Sequence, residues 1–247
     1  MKWIATLSFI LFSQIAFCCD GNSLECIYDK CGSIDVKIET KRLIARSIQE
    51  DDIEEIKSLF SNEVVMAKFG DGTARSPEDT EERMKKSWIY RWRNGDPKGG
   101  LVIKTRSSDE FVGVIIAGES NAPGEAEIAY IIDEPFQNKG YGTEIVSALV
   151  KTYAPWVKKN FDKCFKEQRL QTLFASASPD NLPSWKILDN LGFVAYGIKQ
   201  NQDDEDDKES DCEQFKMYNV IDKTGIERTV VSHPKYGVKK WLFRLNI

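Results

Sequence analysis

The segment Ile131-Ile132-Asp133-Glu134-Pro135-Phe136-Gln137-Asn138-Lys139-Gly140-Tyr141-Gly142-Thr143 gathers the groups best suited to hold an anion. Gly140 and Gly142 free the backbone where a side chain would block a close ligand. The apolar-periodic run behind them predicts a helix over about residues 143–153. Its first N–H groups have no intrahelical acceptor and carry the positive end of its dipole, which suits a phosphate. Lys139 adds a cation beside them. A nucleoside-triphosphate loop is excluded, because the Gly-Lys-Ser/Thr ending is absent. The three-glycine dinucleotide fingerprint is excluded too: its third glycine is missing and an antiparallel meander precedes the loop. An ordinary turn also supplies two glycines, so the surrounding elements must decide.

Those elements have a regular grammar from residue 41 onward. Residues 42–48 alternate as a strand, and Asp51 is placed to cap a helix running to about Phe60. Ser76-Pro77-Glu78-Asp79 reads as a helix start with proline in the first turn, on a helix that would carry Met84, Trp88 and Trp92 on one face. Residues 101–105, 111–119 and 125–132 form three strands with short connections, an antiparallel meander. The order then changes to the glycine loop and its helix, a strand at 170–176, a helix at 182–190 stopped by Gly192, and a strand from Phe193. A mixed α/β sheet with helices on both faces is the expected architecture, an antiparallel meander followed by β-α-β-α. Residues 215–221, 229–232 and 241–245 read as closing strands, with a turn at Thr224-Gly225 making a hairpin of the first two. The domain division is a leader at 1–19, a cysteine-containing linker without periodicity at 20–40, and one domain at 41–247 with an acidic loop at 201–213.

Gln-x-x-Gly-x-Gly after a strand, at Gln137 to Gly142, resembles the pyrophosphate loop of the GNAT N-acetyltransferase family. Asn181-Leu182-Pro183-Ser184 followed by Leu191-Gly192-Phe193 resembles that family's second cofactor segment. The opening Thr40-Lys41-Arg42-Leu43-Ile44-Ala45-Arg46 is similar to the first strand of the branch that acetylates ribosomal-protein N-termini. The resemblance covers about residues 41–198 and implies the acyl-CoA N-acyltransferase fold, with acetyl-CoA as co-substrate in a V-shaped opening between two parallel strands. Ile131 and Ile132 would pair with the pantetheine through their backbones. The amides of Asn138, Lys139, Gly140, Tyr141, Gly142 and Thr143, following Gln137, would hold the pyrophosphate, and Asn181 and Ser184 would contact the cofactor arm. The reaction would move an acetyl group directly to a primary amine, either a protein N-terminus or a small amine. An aminoglycoside or polyamine acceptor, or a non-catalytic acyl-CoA-binding module, are the competing readings.

Direct transfer needs a group that takes the amine proton. Glu127, in mid-strand, is the candidate base, although an exposed pair with Glu125 is the bland reading; Glu119 is a lesser candidate. Many family members carry a tyrosine seven residues after the asparagine as acid toward the thiolate. That position is Leu188 here, leaving water, Tyr141 or Tyr196. Trp88 and Trp92 read foremost as core packing.

Of 39 acidic residues, eight fall in residues 203–213; the remaining 33 basic and 31 acidic residues nearly balance, so no broad basic face for nucleic acid is expected. The acidic stretch reads as a solvated loop. A single histidine, His233, excludes multi-histidine metal centres, and the cysteine spacings fit no zinc signature, so no metal is expected. Residues 3–17 carry no charge and stop at Cys18-Cys19, short of the roughly 20 apolar residues of a comfortable span. They resemble a weak secretory signal, or an apolar tail on its own domain or on a membrane surface. Membrane contact is expected only through this leader, with Cys18, Cys19, Cys26 and Cys31 as a reactive or disulfide-linked tail. Use of acetyl-CoA argues for the cytoplasm and the leader for export; monomer and homodimer both stay open.

Overall fold

The computed structural model describes residues 13–19, 21–178, 181–200, 216–221, 227–232 and 239–247. Among the described residues four strands come first: β1 (Ser13–Cys19), β2 (Asn22–Tyr28), β3 (Ile34–Glu39) and β4 (Leu43–Ser47). Helices α1 (Ile53–Ser61), α2 (Glu63–Met66), α3 (Pro77–Arg83) and α4 (Tyr90–Arg93) precede the meander β5 (Gly100–Thr105), β6 (Phe111–Glu119) and β7 (Glu125–Ile132). Then come α5 (Tyr141–Ala148), α6 (Ala154–Asn160), β8 (Thr172–Ala177), α7 (Leu182–Asn190), β9 (Val194–Gln200), β10 (Lys216–Ile221), β11 (Glu227–Ser232) and β12 (Lys239–Asn246).

Among the described residues, ten strands form one sheet in the order β1-β2-β3-β4-β5-β6-β7-β8-β12-β9, and β10 and β11 form a separate antiparallel pair. Neighbours in the large sheet are antiparallel except β7 and β8, which run parallel. The expected mixed α/β sheet with helices on both faces is therefore present. One face packs α5, α6 and α7 through Ile145, Leu149, Trp156 and Leu188; the other packs α1 and α3 with the turn after it, through Ile56, Phe60, Met84 and Trp88.

Residues 20–40 are not a linker. β2 and β3 extend the sheet beyond β4 and bury Leu24, Val36 and Ile38 almost completely. Burying each such side chain stabilises by about 1.5–3 kcal/mol, enough to hold the segment on the domain. Ser13–Cys19, inside the apolar leader, continues the sheet as β1. Cys26 and Cys31 carry free thiols, and burial, foremost, pushes the Cys26 thiol up to about 11, so Cys26 is not the reactive tail residue expected.

Two local expectations also change. Asp52, not Asp51, anchors the start of the first helix: its carboxylate accepts from the Gln49 amide at 2.8 Å and takes both guanidinium nitrogens of Arg46 at 2.8 Å. Trp88 and Trp92 are both core residues, yet they sit in different cores. A π-helical segment at Met84–Ile89 widens one turn, and each inserted residue rotates the remainder of the helix by about 100°. The acidic run 201–213, the turn at Thr224-Gly225 and His233 lie outside the described residues. Among the described residues, no helix is long and apolar enough to cross a membrane.

Candidate active site

β7 and β8 pair only at Glu125, Ala126 and Glu127, opposite Thr172, Leu173 and Phe174. Beyond that the strands diverge and, among the described residues, leave one edge of β7 unpaired. Which backbone groups face the opening is set by strand alternation. The Asp133 amide donates to Val112 on β6 at 2.8 Å, and the Ile131 carbonyl lies against Gly113 of β6. The backbones of Ile131 and Asp133 are thus turned to β6, and those of Tyr130 and Ile132 to the opening. This corrects the expected role of Ile131, whose side chain is also buried in the core behind β7. Gln137 donates its side-chain amide to the Ile132 carbonyl at 2.9 Å. That bond folds the loop back on the strand end, so Gln137 shapes the loop and leaves the Ile132 N–H open.

The loop after β7 curls because two of its residues are left-handed, Asn138 at φ +60° and Gly140 at φ +78°. Asparagine tolerates that region locally and glycine adopts it without a steric cost. The first amide to bond back is Glu144, to the Gly140 carbonyl at 3.1 Å; the amides of Tyr141, Gly142 and Thr143 are left without helical acceptors. Residues 137–140 are exposed, so side chains do not plug the bend. Gly142 lies between Tyr130 and Ile187: a Cβ there would meet a carbon of each at 3.4 Å. The loop is therefore contiguous with both β7 and α7.

A second layer holds the loop from behind. Arg42 donates to the Lys139 carbonyl at 2.9 Å, pairs with Glu144 at 2.6 Å and stacks 4.5 Å from the centre of the Tyr141 ring. Glu144 also accepts from the Thr40 hydroxyl at 2.6 Å and the Arg42 amide at 2.8 Å. Burial pushes the Glu144 carboxyl up, but the bonds from Thr40 and Arg42 outweigh it and hold the group below its usual value. The loop is thus braced by an anion that stays charged at neutral pH. Arg42→Ala is expected to weaken acetyl-CoA binding by about three- to tenfold in calorimetry with turnover at saturation unchanged, the modest size reflecting a half-exposed pair. Unaltered affinity would mean the loop keeps its shape without the brace.

A cavity of about 320 Å³ occupies the opening. Glu127, Tyr130, Asn181, Ser184 and Leu188 line it, opposite a wall formed by residues 68–71. Asn181 caps α7, its side-chain carbonyl accepting from the Ser184 amide at 3.3 Å, which leaves its NH₂ for a ligand. Tyr130 donates its hydroxyl to Ser184 Oγ at 2.9 Å. Burial raises the Tyr130 phenol against the opposing effect of its bond with Ser184, so it is a neutral donor throughout the working range. Glu127 and Glu125 are not an exposed pair. Glu125 is 5% exposed, accepting from Ser120 Oγ at 2.5 Å and Arg244 Nε at 2.9 Å, whereas Glu127 is half-buried and faces the cavity. Glu119 does not line it and lies 3.8 Å from both Arg91 and Lys98. Tyr141 is engaged with Arg42 and Phe136.

A family model described as an acetyltransferase (GNAT) domain matches residues 42–194. The chain belongs to the GNAT acetyltransferase family. As a GNAT protein it is an acetyl-CoA-dependent N-acetyltransferase. The uncharacterized N-acetyltransferase YnaD of Bacillus subtilis is 26% identical over 161 residues, covering 65% of this chain and 84% of that protein. Among solved structures, RimL, a ribosomal L7/L12 alpha-N-protein acetyltransferase in complex with CoA, superposes with a TM-score of 0.56 at 15% identity, covering 84% of this chain and 96% of that one. Spermidine N-acetyltransferase from Vibrio cholerae, in complex with CoA and spermine, does so with a TM-score of 0.54 at 14% identity and the same coverage. Such distant likenesses carry the GNAT fold and do not select an acceptor. Tyr130 is a cavity-lining residue that sequence reasoning misses. The available signal is a lone phenol on the strand that leads into the glycine loop.

Proposed function

We propose that this chain transfers the acetyl group of acetyl-CoA directly to a primary amine in the opening between β7 and β8. The observation that carries the reading is the unpaired edge of β7 leading into a braced, exposed bend of free amides at the start of α5. In this reading Tyr130 and Ile132 pair with the pantetheine amides. The amides of residues 138–143 hold the diphosphate, with the Lys139 cation beside it and the Asn181 NH₂ and Ser184 on the far wall.

Glu127 faces the cavity from mid-strand and takes the proton that the amine loses as the N–C bond forms, directly or through one water. The C–S bond breaks toward the phenol of Tyr130, which donates its proton to the departing thiolate and recovers one from solvent. Tyr130 thereby stands in for the family acid lost at Leu188. Its hydrogen-bond partner Ser184 lies one helical turn before Leu188, across the same cavity. Tyr130→Phe is expected to lower turnover by about tenfold or more with acetyl-CoA affinity within about threefold of the original. An unchanged turnover number would leave protonation to water.

A protein N-terminus and a small amine are both compatible with this chemistry. The test is thiol release from acetyl-CoA by the purified chain, with and without a panel of amines. Release that depends on an amine supports the reading, and tight acetyl-CoA binding with no release from any amine favours a binding module.

A further inference from the structure

A second cavity, of about 190 Å³, is lined by Phe60, Arg75, Asp79, Thr80, Arg83 and Trp88. It shares a wall with the larger cavity: Asp71 lines the larger one, and its partner Arg75, at 3.0 Å, lines the smaller. Arg83 ends α3 with its guanidinium carbon 5.6 Å from the centre of the Trp88 ring, and it makes no hydrogen bond or ion pair among the described residues. Arg75 is neutralised by Asp71; among the described residues, Arg83 is not neutralised by contact with any carboxylate. Asp79 lines the same cavity, and its backbone amide is held by the Ser76 cap. Burial lowers the Arg83 pKa, the nearby charge of Arg75 lowers it further, and Glu127 acts in the opposite sense. Arg83 therefore stands in the field of the carboxylate proposed as the base.

We propose that Arg83 binds an anionic group on the acceptor, so that the substrate class is a primary amine bearing a nearby carboxylate or phosphate. The inference rests on the acetyl-transfer reading above and narrows it. A guanidinium over an indole is desolvated yet keeps its donors, which suits a planar or tetrahedral oxyanion. The two cavities then divide the acceptor. Its amine meets Glu127 in the opening, and its acidic group meets Arg83 beyond the shared wall. Polycations such as spermidine, which would bring like charge to Arg83, are disfavoured.

The test uses the full chain and pairs of acceptors that differ in negative charge: glycine and glycinamide, phosphoethanolamine and ethanolamine, and hexapeptides with Glu or Gln at their second position, with spermidine as the polycation. Thiol release gives kcat/KM for each. The expected result is a preference of about tenfold or more for the acidic member of at least one pair. Arg83→Gln should collapse that ratio to within about twofold while acetyl-CoA affinity holds, and Arg83→Lys should restore part of it. The favoured pair also separates a carboxylate from a phosphate. Equal rates within every pair, preference for spermidine, or an Arg83→Gln loss shared equally by both members overturns the inference and leaves acetyl transfer standing. No thiol release with any amine overturns the transfer reading, and the substrate class with it.

Discussion

Gly142→Asp is expected to reduce acetyl-CoA affinity by about 100-fold or more. The new carboxylate would sit at the first turn of α5, where the amides of Tyr141, Gly142 and Thr143 lack acceptors. It would occupy the donors that the proposed reading assigns to the diphosphate and oppose its charge. Charge-assisted hydrogen bonds contribute about 1.5–3 kcal/mol each, so losing one or two of them reaches that factor. Folding should survive, because the Gly142 backbone is helical and a Cβ there would meet side-chain carbons of Tyr130 and Ile187 at 3.4 Å and of Ile132 at 3.9 Å, all ordinary contacts. Gly142→Ala separates the two contributions: it adds the methyl without the charge and should lose far less. Calorimetry on variants with unchanged circular dichroism measures both. Full affinity in the aspartate variant would place the diphosphate somewhere other than this bend.

Glu127→Gln is expected to lower turnover by roughly 10²–10⁴-fold, the usual worth of a positioned general base, with acetyl-CoA affinity within about threefold. The substitution keeps shape and removes only the ability to take a proton. Glu127 faces the cavity at the last residue of β7 that pairs with β8, where those two strands begin to part, which in the proposed reading puts it near the acceptor rather than the diphosphate. The pH profile gives the sharper readout. In the parent protein kcat/KM should fall on the acid side as the base is protonated, and that limb should vanish in the variant. Identical profiles for the two proteins would remove Glu127 from the chemistry.

Strong periodicity makes the fold from β4 to β9 legible. Strand alternation at 101–105 and 111–119 and the capped start at Ser76 appear where the residues place them, and α7 spans the expected 182–190. β3 escapes such a reading although Ile34, Val36 and Ile38 alternate, because Asp35, Lys37 and Glu39 between them make the segment look polar. Alternation alone does not reveal that a strand has a neighbour to bury against. The separation of Trp88 from Trp92 depends on a widened turn that no residue type announces. At the site, residue types locate the loop but not the direction of each backbone group. Alternation relative to β6 moves the open edge from Ile131 to Tyr130, and only pairing register reveals that. Glu125 and Glu127 are alike in sequence and share a strand face. Arg244, 119 residues away, claims the first and leaves the second facing the cavity.

Residue-resolved amide hydrogen exchange, with and without acetyl-CoA, reads out which backbone groups the co-substrate covers. New protection is expected at Tyr130 and Ile132 on the open edge of β7 and across residues 138–143. The amide of Asp133, already bonded to β6, should not change. Protection that appears elsewhere, or that spares both the open edge and the bend, would contradict this placement of acetyl-CoA.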